Sequence, residues 1–289
     1  MIPAPSLTPR VGIGLKPEHY VAMLEACNGA GGVRTNWVEV HPQNYFCAGG
    51  PPHRWLTAVA EHVPLSFHST ALSLGSADGP DAWELDQLAA LVARYQPASV
   101  SDHLSWSNAG GEKFPDLLPV PYTMEALERL IANIDRVQTR LKRAILIENP
   151  SRYLAFADDA LDEVDFLHEL CARAGCGLLL DINNVDVSAT NLGFDAATYL
   201  SALDASFVGE IHLAGHATDV FNDGTILKID DHGAAISETC WSLYAAFIAR
   251  SGRRPTLIER DTNIPTYDDL MAEACHAEMI MEAADDPAH

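Results

Sequence analysis

Cations and long apolar runs are what this chain is short of. Eighteen Lys plus Arg stand against 40 Asp plus Glu, a formal net charge of −22. That balance argues against a phosphate backbone as partner, because nucleic-acid binders carry a basic footprint. No apolar run approaches the ~20 residues of a membrane span. The opening Met1-Ile2-Pro3-Ala4-Pro5-Ser6-Leu7-Thr8-Pro9-Arg10 has neither the basic nor the apolar segment of a secretory signal. The six cysteines (Cys27, Cys47, Cys171, Cys176, Cys240, Cys275) form no C-x-x-C pair and read as reduced thiols, mostly packing. A Gly-rich phosphate loop is also missing, since Gly12 and Gly14 lie within an apolar run and Pro17 follows. The expectation from these absences is a cytoplasmic protein with no membrane or nucleic-acid partner and no dinucleotide fingerprint.

What is present is a core-forming composition: 48% apolar and 20% charged over 289 residues, enough for one large core. The organising stretch is Gly177-Leu178-Leu179-Leu180-Asp181-Ile182-Asn183-Asn184. Its apolar run suits a strand buried on both faces, leaving Asp181 at the exit and Asn184 in the loop beyond. The same design recurs at Val11–Leu15, Trp37–His41, Pro64–His68, Ser99–His103, Ala144–Glu148, Phe207–Leu213 and Pro255–Glu259. Helical segments separate these runs. One is capped by Thr123 and carries an apolar stripe of Leu127, Leu130, Ile134 and Val137. Eight strands alternating with helices predict an α/β fold, a single (β/α)₈ TIM barrel over residues 1–289 with a frayed acidic tail from about 282. Two long loops interrupt the rhythm, one from Leu104 to Tyr122 and one holding Asp230 and His232, and long loops in compact domains are usually functional.

Active sites of such barrels lie at the C-terminal strand ends. Those ends carry His68, His103, Glu148, Asp181, His212 and Glu259, with Asp230 and His232 on the loop after the seventh strand. Any one of these residues alone is more simply a packed imidazole or a helix cap; repetition at six of eight exits is what points to a site. Clustered buried carboxylates cost several kcal/mol each unless paired or metal-bound. None of the four lysines (Lys16, Lys113, Lys142, Lys228) reads as lying at a strand exit, so bound cations are the expected counter-charge. Imidazole and carboxylate without thiolate suit iron, manganese or zinc. Eight ligands exceed one coordination sphere, implying two or three ions with Glu148 as a bridge. Glu39, His41 and Asn44 leave the second strand, and His216 follows the seventh. Each is a candidate for substrate binding or for ordinary packing.

The ligand order resembles that of the apurinic-endonuclease and xylose-isomerase-like barrels. That resemblance implies a first ion on His68, His103 and Glu148, a second on Glu148, Asp181, His212 and Glu259, and a third on Asp230 and His232. Asn184 stands where the endonucleases carry a histidine. Longer motifs, among them Glu39-Val40-His41-Pro42, Leu117-Leu118-Pro119-Val120-Pro121-Tyr122, Ile147-Glu148-Asn149-Pro150-Ser151 and Glu210-Ile211-His212-Leu213-Ala214-Gly215-His216, resemble the multinuclear non-heme iron-dependent oxidative enzymes. That resemblance implies a xylose-isomerase-like barrel with two or three irons in mixed Fe(II)/Fe(III) states and O₂ as co-substrate. It further implies oxidation of a ribosomally made precursor peptide at cysteine, and a small partner protein that presents the peptide leader. Glu148, Asp181, His212 and Glu259 would be the catalytic ligands. Two positions depart from the family pattern: Asp102 replaces an expected Glu, and Arg260 an expected Trp, which makes Arg260 a candidate for the pocket wall. The alternative reading is a metal-dependent hydrolase or isomerase on the same ligand frame.

Overall fold

The computed structural model describes residues 7–29, 32 and 34–285. Apolar strands with both faces buried must be covered by helices on one side and by one another on the other, and the chain does this by closing on itself. β1 (Val11–Gly14) is followed by α1 (Tyr20–Cys27), β2 (Val38–Val40) by α2 (Pro51–Ala60) and β3 (Leu65–His68) by α3 (Ala82–Tyr95). β4 (Ser99–His103) leads to a hairpin, β5 (Trp106–Ala109) and β6 (Glu112–Leu118), before α4 (Met124–Leu141). β7 (Leu146–Glu148) precedes α5 (Glu163–Ala174), and β8 (Gly177–Asp181) runs directly into α6 (Ile182–Leu192) and α7 (Ala196–Ala202). β9 (Val208–Leu213) leads to a second hairpin, β10 (Ala217–Val220) and β11 (Ile226–Ile229), then α8 (Glu238–Ser251). β12 (Thr256–Ile258) and α9 (Tyr267–Ala284) complete the cycle. The closed order is β1-β12-β9-β8-β7-β4-β3-β2, every neighbour parallel, so the expected eight-stranded barrel is what forms.

The helices are held in the ways the sequence suggests. Leu127, Leu130, Ile134, Val137 and Leu141 of α4 are all buried, and each such side chain contributes ~1.5–3 kcal/mol of burial. Thr123 caps α4 by accepting from Ala126 N at 3.2 Å, and Asp162 and Ser237 do the same for α5 and α8. Both long loops contain a β-hairpin that the sequence reading missed, because β6 and β10 are mostly exposed, β5 and β11 mostly half-buried, and none buries one face cleanly. α9 continues to Ala284, past the point where fraying was expected, and residues 286–289 lie outside the described residues. Among the described residues no helix is long and apolar enough to cross a membrane.

The floor of the barrel is closed by Trp37, which packs with Leu7, Ala98 and Leu257 and donates from Nε1 to Arg10 O at 2.9 Å. Its indole lies flat on Gly12: a Cβ there would meet Trp37 Cδ2 at 2.3 Å. Gly12→Ala should therefore overpack a rigid site and cost about 1–3 kcal/mol. The check is urea unfolding, where the midpoint falls at unchanged slope.

Candidate metal centre

Strand register puts the chemistry at one height. His103 is paired with Glu148 across β4 and β7, and Asp181 with His212 across β8 and β9. Paired residues of a parallel sheet point to the same side, so all four enter the barrel mouth together. His68 Nε2 and His103 Nε2 each lie 3.1 Å from Glu148 Oε2, and 3.3 Å from each other. Ligands bound at 2.0–2.2 Å around one ion are roughly 3.0–3.5 Å apart, which is the spacing of this trio. The outer ring nitrogens are anchored. His103 Nδ1 donates to Ser69 O at 3.2 Å, leaving Nε2 as a lone pair, and His68 Nδ1 pairs with Ser101 Oγ at 2.8 Å.

A second group shares Glu148. Ligand atoms of Glu148, Asp181 and His212 lie within 4.8 Å of one another, and Glu259 Oε2 is 2.9 Å from His212 Nδ1. Asp181 has two duties: Oδ1 caps α6 by accepting from Asn184 N at 2.7 Å, whereas Oδ2 is buried with no hydrogen-bond partner. Asn149 clamps the same exit, accepting from Asp181 N at 2.8 Å and donating to Asp181 O at 3.0 Å. His212 Nε2 faces down the barrel, 3.4 Å from Glu39 Oε1 and 3.7 Å from Glu210 Oε1. Ser66 Oγ holds the other oxygen of Glu39 at 2.9 Å.

The third group hangs from the loop after β11. His232 Nε2 is 2.6 Å from Asp230 Oδ1 and 3.7 Å from Asp181 Oδ2, and its Nδ1 is 3.3 Å from Glu259 Oε2. Asn184, expected in a loop, is instead in the first turn of α6. Its Nδ2 donates to Glu148 Oε1 at 3.1 Å and to Asn149 O at 3.0 Å. The carbonyl acceptor fixes the amide orientation and leaves Asn184 Oδ1 buried and unpartnered.

The residues fit a set of cations. Buried side-chain atoms without a hydrogen-bond partner concentrate here: Glu148 Oε2, Asp181 Oδ2, Asn184 Oδ1, Glu259 Oε2 and both ring nitrogens of His212 and His232. Unsatisfied buried polar atoms are rare and costly, and all of these offer nitrogen or oxygen lone pairs. Burial opposes charge on His68, yet Glu148 raises it to about 9. Burial lowers His103 to about 4, although it is as close to the same carboxylate. The trio thus shares one proton where an ion would sit. Burial drives Asp181 well above the usual carboxylate range. Glu259, despite burial, is pulled well below that range by His232 and His212.

The substrate candidates are dispersed. Glu39 is buried inside the barrel beneath His212 and does not reach the mouth. His41 sits on the rim, with Nδ1 3.2 Å from His68 O and Nε2 3.3 Å from Asp261 Oδ1, and Asn44 lines a cavity beside it. His216 Nδ1 is 2.8 Å from Asn183 Oδ1, and Asn183 Nδ2 donates to Asp230 Oδ1 at 3.0 Å. Arg260 turns away from the mouth to pair with Glu273 of α9 at 2.6 Å. Strand alternation explains it, since Glu259 points in and its neighbour must point out.

Sequence reasoning missed Asp261 and misplaced Lys16. Asp261 Oδ2 lies 3.3 Å from His232 Nδ1, and its Oδ1 accepts from Lys16 Nζ at 2.6 Å. Lys16 follows the end of β1, so one lysine does stand at a strand exit. The available signal was the spacing of Asp261, two residues beyond Glu259.

The family described as "RiPP precursor modification enzyme MbnB/TglH/ChrH" matches residues 10–282. The chain belongs to that family. RiPPs are ribosomally made and post-translationally modified peptides, so family members are enzymes that act on a precursor peptide. A UPF0276 protein of Caulobacter vibrioides is 51% identical over 286 residues, covering 98% of this chain and all of that one. One from Bordetella pertussis is 47% identical, covering 94% of this chain and 92% of its own length. Solved structures share the fold. A xylose isomerase-like TIM barrel protein from Mycobacterium smegmatis, in complex with magnesium, matches with TM-score 0.61 at 10% identity over 95% of this chain and 97% of its own. Endonuclease IV from Thermus thermophilus matches with TM-score 0.56 at 16% identity, covering 97% of this chain and all of that one.

Two outcomes follow from the geometry. His68 holds its proton up to about pH 9 in the metal-free site, so uptake of an ion at neutral pH must displace it. Zinc affinity should rise with pH towards about 9 and level off above. Calorimetry in two buffers of different ionisation enthalpy should show about one proton released per ion at this trio. Separately, a Cβ at Gly215 would meet the carbonyl oxygens of Ala234 and Ala235 at 2.4 Å. Gly215→Ala should displace the Asp230–His232 loop, lowering bound metal by about one ion per chain while the His68–His103–Glu148 group keeps its own.

Proposed function

We propose that this enzyme is a multinuclear iron-dependent oxidase that uses O₂ to modify its precursor peptide at cysteine, giving an oxazolone–thioamide or thiooxazole type of product. One observation carries the reading: three nitrogen- and oxygen-only ligand groups, fused through Glu148, Asp181 and Glu259, lie in a chain of a precursor-modifying family. His68, His103 and Glu148 would hold a first ion, Glu148, Asp181, His212 and Glu259 a second, and Asp230, His232 and Asn184 a third and weaker one. Iron bound there would supply a Lewis-acidic seat for a thiolate and the electrons that reduce O₂.

The chain's own groups prepare that seat. Glu39 and Glu210 face His212 Nε2 and so direct Nδ1 toward Glu259 and the mouth. Asn149 and the α6 cap fix the position of Asp181, leaving one oxygen free for a ligand. Asn184 contributes a neutral oxygen, which favours an ion that is more weakly held. The reading includes a small partner protein that presents the peptide leader, and a cytoplasmic location. The hydrolase or isomerase alternative rests on the shared barrel, which hosts many chemistries.

Two measurements test this reading. Chain purified from iron-replete cells should contain two or three irons and give a Mössbauer signal; zinc alone would overturn the iron assignment. Co-expression with Cys-containing peptides encoded beside it should yield a peptide that has lost hydrogens, read by mass spectrometry. Glu148→Gln should lose most of the iron from the two groups that share this carboxylate and abolish the mass change, with circular dichroism unaltered.

A further inference from the structure

Six of the eight strand exits carry the proposed ligands; those of β1 and β2 carry Lys16 and His41, and His41 groups with Glu259 and Asp261 at the rim. There the mouth wall opens into a cavity of about 510 Å³. Its walls are apolar and rigid. Tyr20 and Trp55 stack at 5.3 Å and 17°, Tyr20 and Tyr45 join hydroxyls at 2.7 Å, and Pro51 and Pro52 stiffen the far side. Val21 stands on the rim, 56% exposed. The polar groups of the cavity, Lys16, His41 and Asn44, come from the β1 and β2 ends and the turn after β2. Two of them reach the metal centre through short contacts. His41 packs its ring 5.8 Å from that of His68, and Lys16 and His41 both hold Asp261, which lies 3.3 Å from His232. The cavity therefore borders the site through Lys16 and His41, and apart from these and Asn44 its wall is apolar or aromatic.

We infer that this cavity is a recognition pocket for a large apolar side chain, aromatic or branched, that neighbours the substrate residue held at the metals. The inference rests on the peptide-modifying reading above and extends it to substrate choice. Several features select this occupant. Aromatic and proline faces favour flat or branched apolar groups over sugars, whose hydroxyls would find few partners. The volume holds one or two side chains but not a helix, whose diameter is ~10 Å. Lys16 and His41 stand between pocket and ligands, and the Lys16 ammonium, which gives one N–H to Asp261, keeps donors for the carbonyls of a peptide backbone crossing there.

The test uses metal-loaded full-length protein and a thiol-free probe, N-acetyl-L-phenylalanine methylamide, with N-acetylglycine methylamide as control. Saturation-transfer NMR should detect ring contact for the phenylalanine probe alone. Val21→Arg, which places a charge at the rim, and Trp55→Ala, which removes the stack, should each weaken that binding by about tenfold or more at unchanged metal content and circular dichroism. Failure of the probe to bind, equal binding of the two probes, or binding that survives both substitutions would overturn the pocket. The probe has no thiol and the readout needs no turnover. A failed oxidase reading would therefore leave this result standing, and a failed pocket would leave the iron and mass measurements standing.

Discussion

Uncompensated charge in a closed barrel is the constraint from which the rest of this structure follows. Glu148, Asp181, His212 and Glu259 are almost wholly buried, and the groups they face are one another. Carboxylates taken out of water cost several kcal/mol apiece unless a counter-charge is close. Lys16 answers only Asp261 at the rim, and Arg260 answers Glu273 outside the barrel. What remains within is a cage of lone pairs that protons satisfy poorly, as the opposite fates of His68 and His103 around one Glu148 oxygen show. Cations would remove the conflict, and Glu148, Asp181 and Glu259 are placed so that neighbouring groups could share them.

The local structure around the cage is built to keep it rigid. Asp181 terminates a strand, caps a helix and keeps one free oxygen, three tasks for one side chain. Asn149 ties the neighbouring exit to it through both backbone groups. His232 adopts a left-handed backbone, φ 46°, beside Gly233, and Asp261 N binds its carbonyl at 3.1 Å. Strain of that kind persists only where the surroundings over-determine it. The loop bearing His232 is accordingly pinned by Gly215, by Asp261 and by Tyr153, whose hydroxyl accepts from Asp230 N at 2.9 Å. One quadrant escapes this dense polar packing, the one at β1 and β2, and its apolar cavity complements the cage.

Much of the site was legible before folding because a barrel converts strand ends into neighbours. Apolar runs ending in His68, His103, Glu148, Asp181 and Glu259 carry their own coordinates: a parallel strand buried on both faces presents a polar residue to the active-site mouth where it emerges. Six-fold repetition then made a common site the economical reading. The hairpins at Trp106–Leu118 and Ala217–Ile229 were not legible, because their strands, exposed or half-buried along their length, bury no one face cleanly and so lack the alternation that marks a strand on a core. Asn184 was expected in a loop because the whole of α6 went unread: Asp181 starts that helix at once, with no breaker between strand and helix.

By itself, then, the sequence determined the barrel and the order in which its strands deliver the candidate ligands, because hydrophobic periodicity and terminal residues are local properties. Tertiary structure alone decided which atoms face each other. Register set Glu148 against His103 and Asp181 against His212; strand alternation sent Arg260 outward and drew Glu39 beneath His212; and the closing of β12 on β1 brought Asp261 to Lys16, 245 residues apart. Those pairings depend on long-range geometry, which no short window of residues contains.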